Sequence, residues 1–271
     1  MGFAGLKDRH AVTRQWFSVR TPAPVSEWAE LPEGVELLAA TRGRRKLRRG
    51  VHTGNRFRIV LDEVTPEPPM SAVLARLDRI RAAGVPNYFG PQRFGRGDGN
   101  LSLAARLFAG ERLRRSERGL ALSAARARLF NAVLAARVEA GNWNRFLPGD
   151  VAGLAGSNSV FAVADQDPEL ERRLAANDIH PTGPLWGSKT KLMPSKLAAE
   201  LEQTATVPFA ELREGLERAG LERGFRPLRL AVAGLTLVRR PGRMTLGFEL
   251  PSGAYATSVL AEIADVLSGG A

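Results

Sequence analysis

The 271-residue chain carries 39 Lys and Arg against 28 Asp and Glu, a formal charge of +11, with 44% apolar residues and no cysteine. That length buries a sizeable core in one or two domains, while the absence of thiols excludes a disulfide framework, a thiolate nucleophile and Cys-based zinc or iron–sulfur sites. The longest apolar run, Leu228–Val238, is broken by Arg229 and Gly234, and Met1–Leu6 meets Lys7-Asp8-Arg9 without a secretory core, so a cytoplasmic protein away from membranes is expected.

Along the chain, Thr13–Val19 is rich in strand formers and stops at Pro22 and Pro24. A basic block follows, in which Arg42, Arg44, Arg45, Lys46, Arg48 and Arg49 lead into His52. Such a block repels itself unless a polyanion neutralises it, and arginine suits planar, bidentate contacts with phosphate. A nucleic-acid contact is one reading; a general compositional preference for arginine is the other. Asn55–Leu61 alternates Phe57, Ile59 and Leu61 with Arg56, Arg58 and Val60, which predicts a strand with one packed and one partly cationic face. After Pro66–Pro69, Val73, Leu74, Leu77 and Ile80 recur at helical spacing, with Gly84 as the stop.

The middle of the chain reads as helical. Ser123 is expected to cap a helix carrying Leu129, Phe130, Val133, Leu134 and Val138 and ending near Gly141, with further helices near 194–203 and 208–219. Leu228, Leu230 and Val232, then Met244, Leu246, Phe248 and Leu250, alternate as two strands turning at Pro241. A last helix is expected from Ala256 to Leu267. Strands at both ends of a helical middle predict an α+β fold, a sheet domain with a helical insertion.

His10, His52 and His180 lie far apart and no ligand spacing connects them, so no metal is expected. Gly95–Asn100 superficially matches a dinucleotide fingerprint but lacks the βαβ context. More promising is Gly5-Leu6-Lys7-Asp8-Arg9-His10-Ala11-Val12-Thr13-Arg14-Gln15-Trp16. A carboxylate among bases, held near a sugar, serves as nucleophile or proton acceptor; the same segment also reads as a charged turn ahead of a strand.

This segment resembles the signature motif of the TruD pseudouridine synthases: a small-residue turn, Lys-Asp, a base, His-Ala-Val-Thr and Gln-Trp. Three further blocks resemble the family in order: Lys46–Gly50 through Gly54-Asn55-Arg56-Phe57, Val85–Gly95 with its Asn-Tyr-Phe-Gly-Pro-Gln core, and Leu250–Leu260. The resemblance implies a mixed, largely antiparallel pseudouridine-synthase sheet from 1–83 plus 226–271. A mostly helical inserted domain would occupy 84–225, with tRNA between the two. Asp8 would act at the ribose of the target uridine, by attack on the anomeric carbon or by removal of a sugar proton. That uridine would be the D-arm one at position 13. The isomerisation needs no cofactor.

The resemblance further implies that Asn55 and Phe57 contact the substrate, the ring stacking on a flipped base; core packing with Ile59 and Leu61 is the alternative for Phe57. Lys7 would orient phosphate or pair with Asp8, or remain a solvated surface lysine. Arg42, Arg44, Arg45, Lys46, Arg48, Arg49 and Arg93 are the candidate RNA contacts, although the aromatics around Arg93 equally suit hinge packing. A monomer is expected. Family members carry a further strand and basic motif before Lys-Asp, which the seven residues ahead of Asp8 do not supply, and Ala261 stands where the family pattern implies an arginine. The competing function is therefore a truncated, non-catalytic tRNA-binding remnant.

Overall fold

The structure is a computed structural model that describes residues 1–8, 11–21, 31–64, 68–163, 167–188 and 190–263. Arg9, His10, Pro22, Pro24, Pro66 and the end of the expected last helix lie outside the described residues. The chain forms two compact units, Met1–Asn55 and Arg56–Ala271.

The first unit has little regular structure. Strands β1 (Gly2–Phe3) and β2 (Phe17–Ser18) pair antiparallel, Gly2 with Ser18 and Phe3 with Phe17. The strand expected over Thr13–Val19 thus shortens to two residues, because only Phe17–Ser18 finds a backbone partner there. Long-range pins hold the unit together instead: the Leu47 N–H donates to Ser18 Oγ at 2.9 Å and the Gly50 N–H to the Ala4 carbonyl at 2.7 Å.

In the second unit, β3 (Gly54–Asp62, whose first two residues belong to the first unit) alternates exposed with half-buried or buried positions, as its sequence pattern requires. It lies beside β11 (Arg243–Pro251), which in turn pairs with β10 (Ala233–Arg240), in a three-stranded sheet of order β10–β11–β3. β10 and β11 form a hairpin closed by Arg240 opposite Arg243. Its two-residue turn is Pro241-Gly242, where Pro sets φ at the first position and Gly supplies φ 67° at the second. The first strand of this pair starts later than expected. Leu228–Val232 contributes only β9 (Arg229–Leu230), which pairs with β4 (Val85–Pro86) instead of β11, and the β10–β11 ladder has a register shift between Ala233 and Thr236.

Helix α1 (Met70–Ala83) buries Val73, Leu77 and Ile80, one apolar stripe at i, i+4, i+7. It ends at Gly84, whose φ of 73° and closeness to Leu230 (a Cβ would sit 2.5 Å from its carbonyl oxygen) both demand glycine. α1, the sheet and the last helix (Ala256–Ala261) enclose one core built from Leu61, Leu77, Leu246, Phe248, Leu250, Val259 and their neighbours.

Between 99 and 218 run α2 (Gly99–Phe108), α3 (Arg115–Glu139), α4 (Pro168–Ala175), α5 (Lys196–Thr206) and α6 (Ala210–Arg218). α3 begins eight residues before Ser123, whose expected capping role fails: the Arg114 N–H is capped by the Glu117 carboxylate, and Ser123 lies inside the helix. From Ala121 onward α3 is buried on several sides, with alanines where neighbouring elements approach closely. α2, α3 and α6 share a core around Leu122, Leu129 and Leu216.

The middle also contains a four-stranded antiparallel sheet, of order β6 (Val160–Ala162), β5 (Val151–Leu154), β7 (Ile179–Leu185), β8 (Gly224–Pro227). β7 pairs with β5 through Ile179–Pro181 and with β8 through Thr182–Leu185. Each of its prolines therefore sits where only part of the strand needs a donor on that side. Behind this sheet, Arg137 of α3 and Asp150 form a fully buried ion pair at 3.0 Å, and the Leu147 N–H also donates to Asp150 at 2.7 Å.

Candidate active site

The loop between β1 and β2 carries Lys7 and Asp8. A cavity of about 310 Å³ opens there, lined by Phe3, Gly5, Leu6, Lys7, Asp8, Thr13, Gln15 and Phe17. Thr13, Gln15 and Phe17 all face it, the period of two expected of extended backbone running into β2. The rings of Phe3 and Phe17 lie 6.4 Å apart at 60° and form an apolar wall opposite the polar groups.

Lys7 joins this loop to β3 by donating from Nζ to Asn55 Oδ1 at 2.5 Å. Two expected site residues thus meet although they stand 48 positions apart in sequence. A charge-assisted bond of this kind orients the amide and leaves its N–H₂ to donate elsewhere. Phe57 is half-buried on the packed face of β3, its ring 5.5 Å from Phe248, and it packs against the core together with Ile59. The core-packing alternative describes that contact.

The basic block is fastened beside the loop. Arg49 stacks on Phe3 with its guanidinium carbon 5.3 Å from the ring centre, and the Leu47 and Gly50 pins hold the backbone there. A Cβ on Gly2 would run into the Leu47 carbonyl, and one on Gly5 would lie 3.2 Å from the His52 ring. Arg42, Arg44, Arg45, Lys46, Arg48 and Arg49 are all exposed. A dense, exposed cationic segment held next to a carboxylate-bearing cavity suits a polyanion whose reacting residue enters the cavity.

Arg93 is placed differently. Its Nε donates to Tyr255 Oη at 2.9 Å and its Nη1 to Ser123 Oγ at 2.8 Å. Around it Phe89 packs edge-on against Phe130 and Tyr255, with the guanidinium of Arg226 4.1 Å from the Phe89 ring centre. Burial lowers the Arg226 pKa to about 10. The Asn87–Gly95 block thus serves as internal packing that joins the α3 region to the Leu250–Leu260 block, the hinge alternative for its aromatics. Arg226 was missed from sequence. Its signal would have been an arginine in a strand of otherwise packed residues, Gly224–Pro227. Among the described residues no group of three or more His, Asp or Glu is placed to hold a metal, and no helix is long and apolar enough to cross a membrane.

The family model for tRNA pseudouridine synthase D (TruD) matches residues 1–109 and 107–263. The chain belongs to the TruD family. A tRNA pseudouridine synthase D from Methylococcus capsulatus is 50% identical over 270 residues, covering 98% of this chain and 75% of that protein. One from Aeromonas salmonicida is 44% identical over 264 residues, 96% of this chain and 74% of its own length. A TruD structure from Methanosarcina mazei superposes with a TM-score of 0.61 over 82% of this chain and 71% of its own, at 21% identity. That likeness gives the fold, the expected α+β TruD architecture of antiparallel sheets and helices.

Proposed function

We infer that the chain is a tRNA pseudouridine synthase that isomerises a uridine of tRNA, the D-arm uridine at position 13, with Asp8 as its catalytic carboxylate. The observation that carries this reading is the family match over residues 1–263, which brings the Lys7-Asp8 motif with it. The cavity beside that motif supports it, with a carboxylate, a lysine bonded to Asn55 and two aromatic walls in one place.

In this reading Asp8 works at the ribose, either at the anomeric carbon or by taking a sugar proton. The bond from C1′ to N1 breaks, uracil turns, and C1′ is rejoined to C5. The C5 proton leaves and N1 gains one, so the composition is unchanged and no cofactor takes part. Asn55 and Phe57 contact the target nucleotide, Lys7 orients Asn55, and the cations from Arg42 to Arg49 hold phosphates. Residues 1–83 with 226–271 make up the catalytic domain and 84–225 the inserted one. In support, one hydrophobic core draws its buried residues from 61–85 and 230–263 and a second from 104–216, while a third joins Phe130 and Leu134 to Leu228.

The test is pseudouridine formation in an unmodified tRNA transcript, with the product position mapped. Product at position 13, lost in Asp8→Ala while tRNA binding persists, is expected. A chain that binds tRNA and forms no pseudouridine would instead be the non-catalytic RNA-binding remnant.

A further inference from the structure

Gln15 lines the same cavity as Asp8 and Lys7, and its Oε1 is buried with no hydrogen-bond donor among the described residues. A carbonyl oxygen withdrawn from water without a partner is unfavourable until a donor reaches it. The alternation of Thr13, Gln15 and Phe17 puts Gln15 in the cavity wall, while the intervening Trp16 is 59% exposed. Gln15 therefore stands in the wall of the cavity beside the Asp8 loop, with its unpaired acceptor shielded from water.

We propose that the Gln15 amide reads the Watson–Crick edge of the target uracil and serves as the pivot on which the base turns. The proposal rests on the reading that this cavity receives the target uridine. Uracil linked through N1 has one ring donor, N3–H, flanked by the carbonyls O2 and O4. An amide offers an acceptor beside a donor, so Oε1 takes N3–H while Nε2 donates to O4. With the base held by its ribose, cytosine would set its N3 lone pair against Oε1 and its amino group against Nε2. Both contacts become repulsive, which selects uridine.

The same bond suits the rearrangement. Exchanging N1 for C5 at the ribose is a half-turn of the ring about the axis through N3 and C6. N3–H lies on that axis and stays on Oε1, while O2 replaces O4 at Nε2. The detached base thus keeps one hydrogen bond from substrate to product. Gln15 is a positioning residue, with the bond-breaking chemistry left to Asp8.

The experiment measures single-turnover rates on tRNA transcripts carrying uridine or N3-methyluridine at the target position, together with tRNA affinity. N3-methylation should slow the wild-type chain at least about 100-fold, because the donor is gone and Oε1 stays unpaired. In Gln15→Leu the uridine rate should fall about as far, tRNA affinity should stay within about twofold, and the penalty for N3-methylation should shrink to about threefold or less. Gln15→Glu keeps an acceptor at the same reach and should retain the discrimination. A full methylation penalty in Gln15→Leu would overturn the proposal, since a merely structural glutamine lowers both rates alike.

Should the wild-type chain form no pseudouridine, the enzymatic reading fails separately. Binding of uridine 5′-monophosphate then decides on Gln15, read from its side-chain amide resonances. A shift with uridine but not with cytidine 5′-monophosphate supports the contact, and no shift with either overturns it.

Discussion

The two compact units are held together by different forces. In Met1–Asn55, Gly2 is the only buried position among the described residues, and Leu6, Val12, Trp16, Val35 and Leu38 are exposed. Order there comes from the hydrogen bonds of the Leu47 N–H to Ser18 Oγ and of the Gly50 N–H to the Ala4 carbonyl, the Arg49–Phe3 stack and the Lys7–Asn55 bond. Arg56–Ala271 contains closed apolar cores and buried ion pairs. Apart from Phe57, the residues of the proposed chemistry therefore belong to the unit that buries little, and the buried cores to the other. Substitutions in the two units should separate cleanly into losses of rate and losses of folding.

The largest effect expected is on rate. Asp8→Asn keeps size and polarity but removes the carboxylate, and pseudouridine formation should drop by at least about 10³-fold. Because Asp8 is exposed, the melting temperature should stay within about 2 °C. A clear fall in Tm would show that the loop carries stability as well, and the separation would break. The converse is Asp150→Ala. Arg137 and Asp150 are 2% and 4% exposed, and removing the carboxylate strands a buried guanidinium at a cost of about 3–5 kcal/mol. Chemical denaturation should show that loss while the rate per folded molecule is unchanged. The double variant Arg137→Met with Asp150→Leu should recover most of it, because no uncompensated charge remains.

These two units also differ in how far their sequences announce them. Half-buried elements of the second unit were legible: the alternation of Phe57, Ile59 and Leu61 on β3, the α1 stripe closed by Gly84, the turn at Pro241-Gly242 and helices α5 and α6. The inner sheet was not. β7 is buried from Ile179 to Pro184 and contains two prolines, so it shows neither alternation nor strand propensity. Ser123 has the chemistry of a cap, but α3 is long enough to continue through it, and the hydroxyl accepts from Arg93 instead. At the site, Asp8, Lys7 and Asn55 could be named from motifs, whereas the Lys7–Asn55 bond required the fold to close 48 residues of chain. Gln15 was visible only as part of a motif. Its unpaired oxygen is a property of packing, which no spacing encodes.

Within the second unit, Gly215 sharpens the comparison at smaller scale. A Cβ there would strike the Phe108 ring where α6 crosses α2. Gly215→Ala gains about 1 kcal/mol of helix propensity but forces a well-packed contact apart, which costs about 1–3 kcal/mol. The clash should win by roughly 1 kcal/mol, seen as a lower denaturation midpoint. Adding Phe108→Leu should relieve part of the clash and let the propensity gain show. If Gly215→Ala alone is stabilising, the α2–α6 contact is softer than its burial implies.

A dependence on pH of similar size comes from a buried histidine of the second unit. His180 on β7 is 7% exposed, and its Nδ1 accepts from Arg229 Nε at 3.1 Å. Burial first, and the Arg229 cation second, lower its pKa from 6.5 to about 4, against a weaker opposing pull from Asp178. The fold therefore holds a neutral imidazole, and between those two values the unfolded chain binds a proton that the native one refuses. This contribution is complete above about pH 6.5 and is lost as pH falls towards 4. Discounted for solvent screening, it amounts to roughly 1–2 kcal/mol. Asp150 and Glu202, whose pKa values burial raises, act in the opposite direction, since their native carboxyls keep protons that the unfolded chain releases. The raw stability curve mixes these terms. Subtracting the curve of His180→Gln, which keeps an acceptor for Arg229 but has no proton to gain, isolates the histidine. The difference should slope only between about pH 4 and 6.5, while single-turnover rates corrected for folded fraction show no matching change. A parallel change in those rates would mean that the inner sheet and the catalytic loop are energetically coupled.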